Sequence, residues 1–292
     1  MPHKAGFVNI IGPPNAGKST LLNQLVGEKL AIVTSRAQTT RHRLMGIVNG
    51  KNYQIIYSDT PGMIKPNYKL QEFMVKTVVS ALDDADLILF ITDISDSPEK
   101  QEPLVKRIRD KKIPVICALN KTDLISVEEV KNIHSVWAKI FPGQVVLPVS
   151  ALYGANLPEL LEKILALLPE HPPYFPKDQL TDKPERFFVE EIIREKILLH
   201  YRQEIPYSVE IVTESFKDEE KLIRISAQIF VERESQKIII IGRKGQALKI
   251  VGTESRKDIE AFFGKKVFLE LFVKVKKDWR NREKLLKSFG YR

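Results

Sequence analysis

The chain has 292 residues, 43% of them apolar, one cysteine and a formal net charge of +9, a length that suits two ordinary cores rather than one. No apolar run approaches the roughly 18 to 20 residues that span a bilayer, and residues 1–12 lack the long apolar centre of a signal peptide, so a soluble protein is expected. The single cysteine, Cys117, excludes an internal disulfide and suits a reducing compartment, and within the apolar run from Ile113 to Leu119 it reads as a core thiol. The histidines His3, His42, His134, His171 and His200 show no metal-ligand spacing, which argues against a zinc site.

In chain order, the first apolar run, Gly6 to Ile11, reads as a strand. It leads into Gly12-Pro13-Pro14-Asn15-Ala16-Gly17-Lys18-Ser19, and a helical stretch from Lys18 to Val26 follows. This matches the phosphate-loop pattern G-x-x-x-x-G-K-[ST] in the setting of strand before and helix after that the pattern requires. Glycines let backbone amides turn inward and approach phosphate oxygens, and the helix N-terminus adds a favourable dipole. Gly12, Asn15, Ala16, Gly17, Lys18, Ser19 and Thr20 are therefore assigned to nucleotide binding, with Lys18 on the β and γ phosphates and the Ser19 hydroxyl on Mg2+.

The stretch from Val33 to Arg43 is irregular and rich in hydroxyl and basic side chains. Thr40 is preferred to its neighbour Thr39 as the residue that completes the magnesium shell and senses the γ-phosphate, as switch loops do. Two strands, Leu44 to Val48 and Tyr53 to Ser58, meet at a hairpin near Gly50, so one edge strand is expected to be antiparallel. Asp59-Thr60-Pro61-Gly62 follows. A carboxylate at a strand end beside the phosphate loop suits Mg2+, through water, and Gly62 lets its amide approach the γ-phosphate. Lys18, Thr40 and Gly62 are the candidate catalytic residues, and Ser19, Thr40 and Asp59 the candidate magnesium ligands.

Helical stretches (Tyr68 to Leu82, Pro98 to Asp110, Val127 to Ile140, Leu157 to Leu168) then alternate with apolar runs (Leu87 to Thr92, Pro114 to Leu119, Val145 to Val149). The alternation predicts a mostly parallel sheet with helices on both faces. The run that ends at Leu119 leads into Asn120-Lys121-Thr122-Asp123, an N-K-x-D pattern. The Asp123 carboxylate can accept from both the N1 hydrogen and the 2-amino group of guanine. Adenine offers neither donor, and a site left with an unpaired charge rejects such an analogue by a factor on the order of 10⁴. Asn120 is expected to tie this loop to the phosphate loop and to face the base, and the Lys121 stem to pack along the base plane. Ser150-Ala151-Leu152, after the last strand, completes the site, with the Ala151 amide as donor to guanine O6. GTP and GDP with Mg2+ are thus the expected ligands.

Residues 169–184 carry five prolines and read as a stiff connection. They divide the chain into a first domain, 1–170, a linker, 171–184, and a second domain, 185–292. The second domain is α+β: a helix from Glu185 to Tyr201, alternating runs Tyr207 to Thr213 and Leu222 to Val231, the apolar run Ile238 to Ile241, a helical stretch Gln246 to Phe263 and a strand Val267 to Val275. Residues 237–292 hold 16 Lys and Arg against 6 Asp and Glu, whereas residues 180–236 hold 9 against 13. The basic segment suits a polyanion, or simply a solvated surface. Within it, Gly242-Arg243-Lys244-Gly245 is a G-x-x-G loop that can bring amides close to a nucleic-acid backbone, with Arg243, Lys244 and Lys249 supplying charge. By itself that pattern also describes many turns.

Together the four nucleotide signatures resemble the Ras-like, translation-factor-like GTPases, and the G-x-x-G loop in its basic domain resembles a KH RNA-binding module. Their order is similar to that of the bacterial ribosome-assembly GTPases, over nearly the whole chain. The resemblance implies an α/β P-loop GTPase domain followed by a smaller α+β type II KH domain with a basic C-terminal tail, in which Ile238 to Ile241 is a short helix despite its strand propensity. It also implies hydrolysis of GTP to GDP and phosphate. The implied partners are small-subunit ribosomal RNA near its 3′ end and the small ribosomal subunit, with a monomer in the cytoplasm. Position 63 departs from the pattern. Ras-like enzymes place a water-orienting glutamine after D-x-x-G, and Met63 cannot take that role, so hydrolysis is expected to be slow without an activator. Asn15 resembles an asparagine that holds K+ in some related GTPases; the other reading is a loop asparagine stabilising its own turn. Two further readings stay open. One is an RNA-binding assembly chaperone whose nucleotide site rarely turns over. The other is a regulatory GTPase held peripherally at the inner face of the cell membrane by the basic stretch Lys274 to Lys287.

Overall fold

The computed structural model describes residues 2–291, and the chain packs as two units. One comprises Met1–Ala31, Thr40–Pro66 and Met74–Asp182; the other comprises Ile32–Thr39, Asn67–Phe73 and Lys183–Arg292.

The first unit is built on one six-stranded sheet. Its strands are β1 (Lys4–Ile11), β2 (Leu44–Asn49), β3 (Tyr53–Asp59), β4 (Leu87–Asp93), β5 (Val115–Asn120) and β6 (Val145–Pro148), in the order β2-β3-β1-β4-β5-β6. Every pairing is parallel except β2 with β3, the hairpin around Gly50. The central strands read as unbroken apolar runs because parallel strands are covered on both faces: Leu87 to Ile91 are fully buried. The helices are α1 (Lys18–Val26), α2 (Lys69–Asp83, of this unit from Met74 on), α3 (Pro98–Asp110), α4 (Val127–Ile140) and α5 (Leu157–Leu167). Val78 and Leu82 of α2, Leu104 and Ile108 of α3, and Trp137 of α4 bury one cluster against Ile88, Phe90, Val115, Cys117 and Leu119. Phe90, Trp137 and Phe141 form its aromatic centre, with ring centroids 5.5 to 6.3 Å apart. Cys117 is fully buried here, and burial pushes its thiol pKa well above the ordinary value.

The Pro-rich stretch is more than the stiff interdomain connection its composition suggests. Through Asp182 it belongs to the first unit, strapped along the sheet's antiparallel edge. Ile47 N donates to Leu180 O at 2.8 Å, Met45 N to the Asp182 carboxylate at 2.9 Å, and Thr181 Oγ1 to Met45 O at 2.7 Å. The anchor is Gln54, buried in β3. Its amide nitrogen donates to Phe175 O and Asn49 Oδ1, both at 2.8 Å, and its oxygen accepts from the Tyr174 and Phe175 amides at 2.7 and 3.0 Å. The strap supplies partners to backbone groups that an exposed edge strand would leave open.

The second unit has a three-stranded sheet of β7 (Glu210–Asp218), β8 (Leu222–Val231) and β9 (Lys266–Val275) in the order β7-β8-β9. β7 and β8 are antiparallel, and β8 and β9 parallel. Helices α6 (Glu185–His200), α7 (Glu234–Ile241) and α8 (Gln246–Phe263) bury Val189, Ile193, Ile197, Ile240, Val251 and Ile259 against Ile223, Ile225, Ala227, Ile229 and Val267 of one sheet face. The order α6-β7-β8-α7-α8-β9 is that of a type II KH domain. Ile238 to Ile241 is helical, so packing of Ile240 into this core outweighs local strand propensity. The strand expected from Tyr207 to Thr213 is displaced. Ile205–Tyr207, which contains Pro206, forms a 3-10 turn, and β7 starts at Glu210 and continues to Asp218 through a bulge between Thr213 and Ser215.

The C-terminal segment is not a loose tail. Trp279, Leu286 and Tyr291 are buried, Trp279 Nε1 donates to Ser208 O at 3.0 Å, and Tyr291 Oη donates to Glu210 Oε2 at 2.8 Å. No helix among the described residues is long and apolar enough to cross a membrane.

Replacing Gln54 by alanine strands the Phe175 carbonyl and the Tyr174 and Phe175 amides. Denaturant unfolding should show a loss of roughly 1–3 kcal/mol with GTP affinity unchanged, and a loss below about 0.5 kcal/mol would mean the strap contributes little.

Candidate functional site

The phosphate loop is shaped by three close approaches. A Cβ at Gly12 would lie 2.0 Å from the Ile91 carbonyl, one at Gly17 (φ +98°) would lie 2.2 Å from Asn120 Nδ2, and one at Gly62 would lie 2.9 Å from the Pro14 backbone. Glycine is required where these loops meet. Asn15 stands in the left-handed region at φ 62° and leads into α1 at Lys18.

Lys18 is buried, and its ammonium donates to Pro13 O at 2.7 Å and Gly12 O at 3.2 Å. Burial lowers its pKa to about 8, against the opposing pull of Asp59 and Asp96. Beside it three oxygens converge. Ser19 Oγ donates to Asp59 Oδ2 at 2.6 Å, Thr40 Oγ1 lies 3.0 Å from the same oxygen, and the two hydroxyls are 2.9 Å apart. Asp59 is fully buried, and burial raises its pKa, partly offset by Ser19, Lys18 and Thr40. Its other oxygen, Oδ1, has no hydrogen-bond partner. A buried orphan carboxylate oxygen flanked by two hydroxyls is a donor set that suits a hard cation such as Mg2+. Thr39 is elsewhere, with its hydroxyl on Thr34 Oγ1 and Arg36 O, both at 2.7 Å.

Asn120, at the end of β5, joins the loops. Its Nδ2 donates to Ala16 O at 2.7 Å and its Oδ1 accepts from Ala151 N at 2.9 Å. The second of these contacts changes one expectation. The single Ala151 amide hydrogen is engaged by Asn120, so donation to a guanine O6 requires that bond to be shared or exchanged. Asp123 accepts from Ser150 Oγ at 2.5 Å, and Thr122 Oγ1 donates to Val149 O at 2.9 Å, which fixes the N-K-x-D turn against the Ser150–Leu152 loop. Leu152 is exposed. Lys121 pairs with Asp93, a contact absent from the sequence reading. Asp93 ends β4 in register with Asn120, a neighbourhood that only the sheet creates. Thr20 lies in the first turn of α1, and Met63 packs against the apolar cluster beneath α2, α3 and α4.

In the second unit, Gly242 (φ 71°) ends α7, and a Cβ there would lie 2.6 Å from that of Ala247. Arg243 and Lys244 are exposed, and Gly245 (φ 76°) begins α8. A groove of about 380 Å³ runs on from this loop, lined by Gly245, Leu248, Lys249, Gly252, Thr253, Arg256, Leu269 and Leu271. Lys249 was expected; Gly252, Thr253 and Arg256 were not, although their helical spacing from Gly245 puts them on one face.

Known proteins share this arrangement. The family described as 50S ribosome-binding GTPase matches residues 7–121, and the KH domain family matches residues 204–280. The chain is 46% identical to GTPase Era of Syntrophus aciditrophicus over 291 residues, covering 99% of this chain and 95% of that protein. Two crystal structures, each 41% identical with a TM-score of 0.95 and 99% coverage of both chains, are similar to it: a variant of Aquifex aeolicus Era bound to GDP and aluminium fluoride, and Era in complex with MgGDPNP and nucleotides 1506–1542 of 16S ribosomal RNA. With matching signatures, matching domain order and this identity along its length, the chain belongs to the Era family of GTPases.

Proposed function

We propose that the protein hydrolyses GTP to GDP and phosphate and that its KH groove binds single-stranded small-subunit ribosomal RNA near the 3′ end. In this reading it acts on the small ribosomal subunit as a cytoplasmic, monomeric assembly factor. The observation that carries the nucleotide half is the Asn120 amide, which holds the phosphate loop and the Asp123–Ser150 pair at the same end of one sheet, so that one ligand can offer both a triphosphate and a purine edge. The RNA half is supported by the G-x-x-G loop, its basic groove and the RNA complex of the 41% identical Era.

In this reading Asp123 takes the N1 hydrogen and 2-amino group of guanine. Gly12, Asn15, Ala16, Gly17 and Thr20 surround the phosphates, and Ser150, Ala151 and Leu152 border the base. Water attacks the γ-phosphorus, the bond to the β–γ bridging oxygen breaks, and Lys18 and the Gly62 amide counter the charge that moves onto the phosphate oxygens. Ser19, Thr40 and Asp59 would hold Mg2+, which when bound neutralises further negative charge. Met63 is committed to the apolar cluster, so no side chain at that position orients the water and unaided turnover is slow. The same packing favours the second reading, an RNA-binding assembly chaperone whose nucleotide site rarely turns over. Membrane-surface attachment through Lys274 to Lys287 has less support, because Trp279 and Leu286 of that stretch are buried.

Three outcomes test this. Asp123→Asn should lower GTP affinity by about 10³- to 10⁴-fold in calorimetry, whereas equal affinity of the unaltered protein for ATP and GTP would remove the guanine assignment. Lys18 loses its proton near pH 8, and bound phosphate raises that pKa. GTP affinity should therefore be greatest below pH 8 and fall by up to about tenfold per unit above it, with proton uptake on binding at pH 9 in buffers of different ionisation enthalpy. If Asn15 is a potassium ligand, exchanging Na+ for K+ should raise single-turnover hydrolysis by about tenfold or more, and Asn15→Ala should abolish the gain. An unchanged rate would leave Asn15 a turn former and strengthen the slow-turnover reading.

A further inference from the structure

β9 is one of the two edge strands of the second sheet, and its side chains alternate. Val267, Leu269, Leu271 and Val273 turn toward the helices, and Leu269 and Leu271 line the groove beside α8. Phe268 and Phe272 turn the other way and are 46% and 49% exposed, an unusual cost for two large apolar rings on one strand. Part of this outer sheet face is closed by the chain itself. Phe289 stacks on Phe230 at 5.6 Å, and the Lys276 ammonium lies 4.0 Å from the Phe230 ring centre. That cover leaves Phe268 and Phe272 exposed.

Cations frame the exposed rings. Arg224 is in register with Phe268, and its guanidinium lies 5.6 Å from that ring's centre. Lys217 is the partner of Arg224 on β7, and Lys266 and Lys274 are exposed on β9 at each end of the pair. Against them stand Glu270, between the rings, Glu219, whose carboxylate pairs with Arg224 at 3.1 Å, and Glu260, whose carboxylate lies 3.9 Å from the Lys266 ammonium. Flat apolar rings among cations match the chemistry of a single-stranded nucleic acid, with bases on the rings and phosphates on the side chains. The rings are four residues apart, about 13 Å along the strand, so they receive non-adjacent bases. The groove and the outer face share β9, one on each of its two faces.

We infer that Phe268 and Phe272, with Lys217, Arg224, Lys266 and Lys274, form a second single-strand RNA platform, which receives nucleotides flanking those held in the groove. This rests on the RNA reading above, and the experiment separates the two.

Fluorescence anisotropy of the full chain should be measured with a labelled RNA of nucleotides 1506–1542 of 16S ribosomal RNA, and with the shortest nested fragment of it that still binds. Phe268→Ala combined with Phe272→Ala should weaken binding of the long strand by about tenfold or more. It should leave the short fragment, GTP affinity and thermal stability unchanged, and the pair of Phe→Tyr replacements should retain long-strand affinity. Arg243→Ala combined with Lys244→Ala should weaken both RNAs. Equal long-strand affinity of the double-alanine and unaltered proteins overturns the platform and leaves the groove intact. Failure of the unaltered protein to bind either RNA overturns the RNA reading itself. Unchanged RNA affinity accompanied by lost self-association in sedimentation would give the face to a second copy of the chain and likewise overturn the inference.

Discussion

The nucleotide half depends on how closely three strand ends approach one another. Gly12 leaves β1 against the Ile91 carbonyl of β4, and Gly17 lies against the Asn120 amide at the end of β5. That amide spends its donor on the phosphate loop and its acceptor on the loop after β6. The distance between the phosphate and base subsites is thus set by rigid strands and one planar side chain, which is the kind of support a recognition site needs. Any side chain larger than hydrogen at Gly12 or Gly17 would push the loop off the sheet.

Within that frame the two buried ions are each held away from their ordinary protonation behaviour. Burial moves the Lys18 pKa down and the Asp59 pKa up. Shifts in these directions mean that each charge is poorly solvated, and a polyanion beside the lysine or a divalent cation beside the carboxylate reverses them. The orphan Asp59 Oδ1 is the same fact seen as geometry. A site with these properties sacrifices stability for affinity, as functional sites commonly do.

Much of this was legible in the sequence because each nucleotide signature is a short contiguous string at a strand end, where local residue types determine local geometry. Nothing in the local sequence separates Thr40 from Thr39, and the structure places Thr40 at Asp59 and Thr39 on its own loop. Pairings between distant strands were not legible. The Lys121–Asp93 contact and the engagement of the Ala151 amide depend on sheet register, and the groove residues Gly252 and Arg256 become neighbours of Leu269 and Leu271 only once α8 packs on β9. Composition misled at the prolines. A stretch that reads as a spacer is fastened down because Gln54, a residue with no motif around it, meets its backbone. At Ile238 to Ile241 the family resemblance carried more than propensity did.

The lone thiol offers a consequence of another kind. Cys117 sits in the middle of β5 beneath the aromatic cluster, and its raised pKa keeps it in the unreactive protonated form. Thiol-directed reagents therefore do not reach Cys117 while the first unit stays closed. Modification of this one thiol records the first opening of the sheet in each molecule, so the protein carries a built-in chemical clock for its own unfolding.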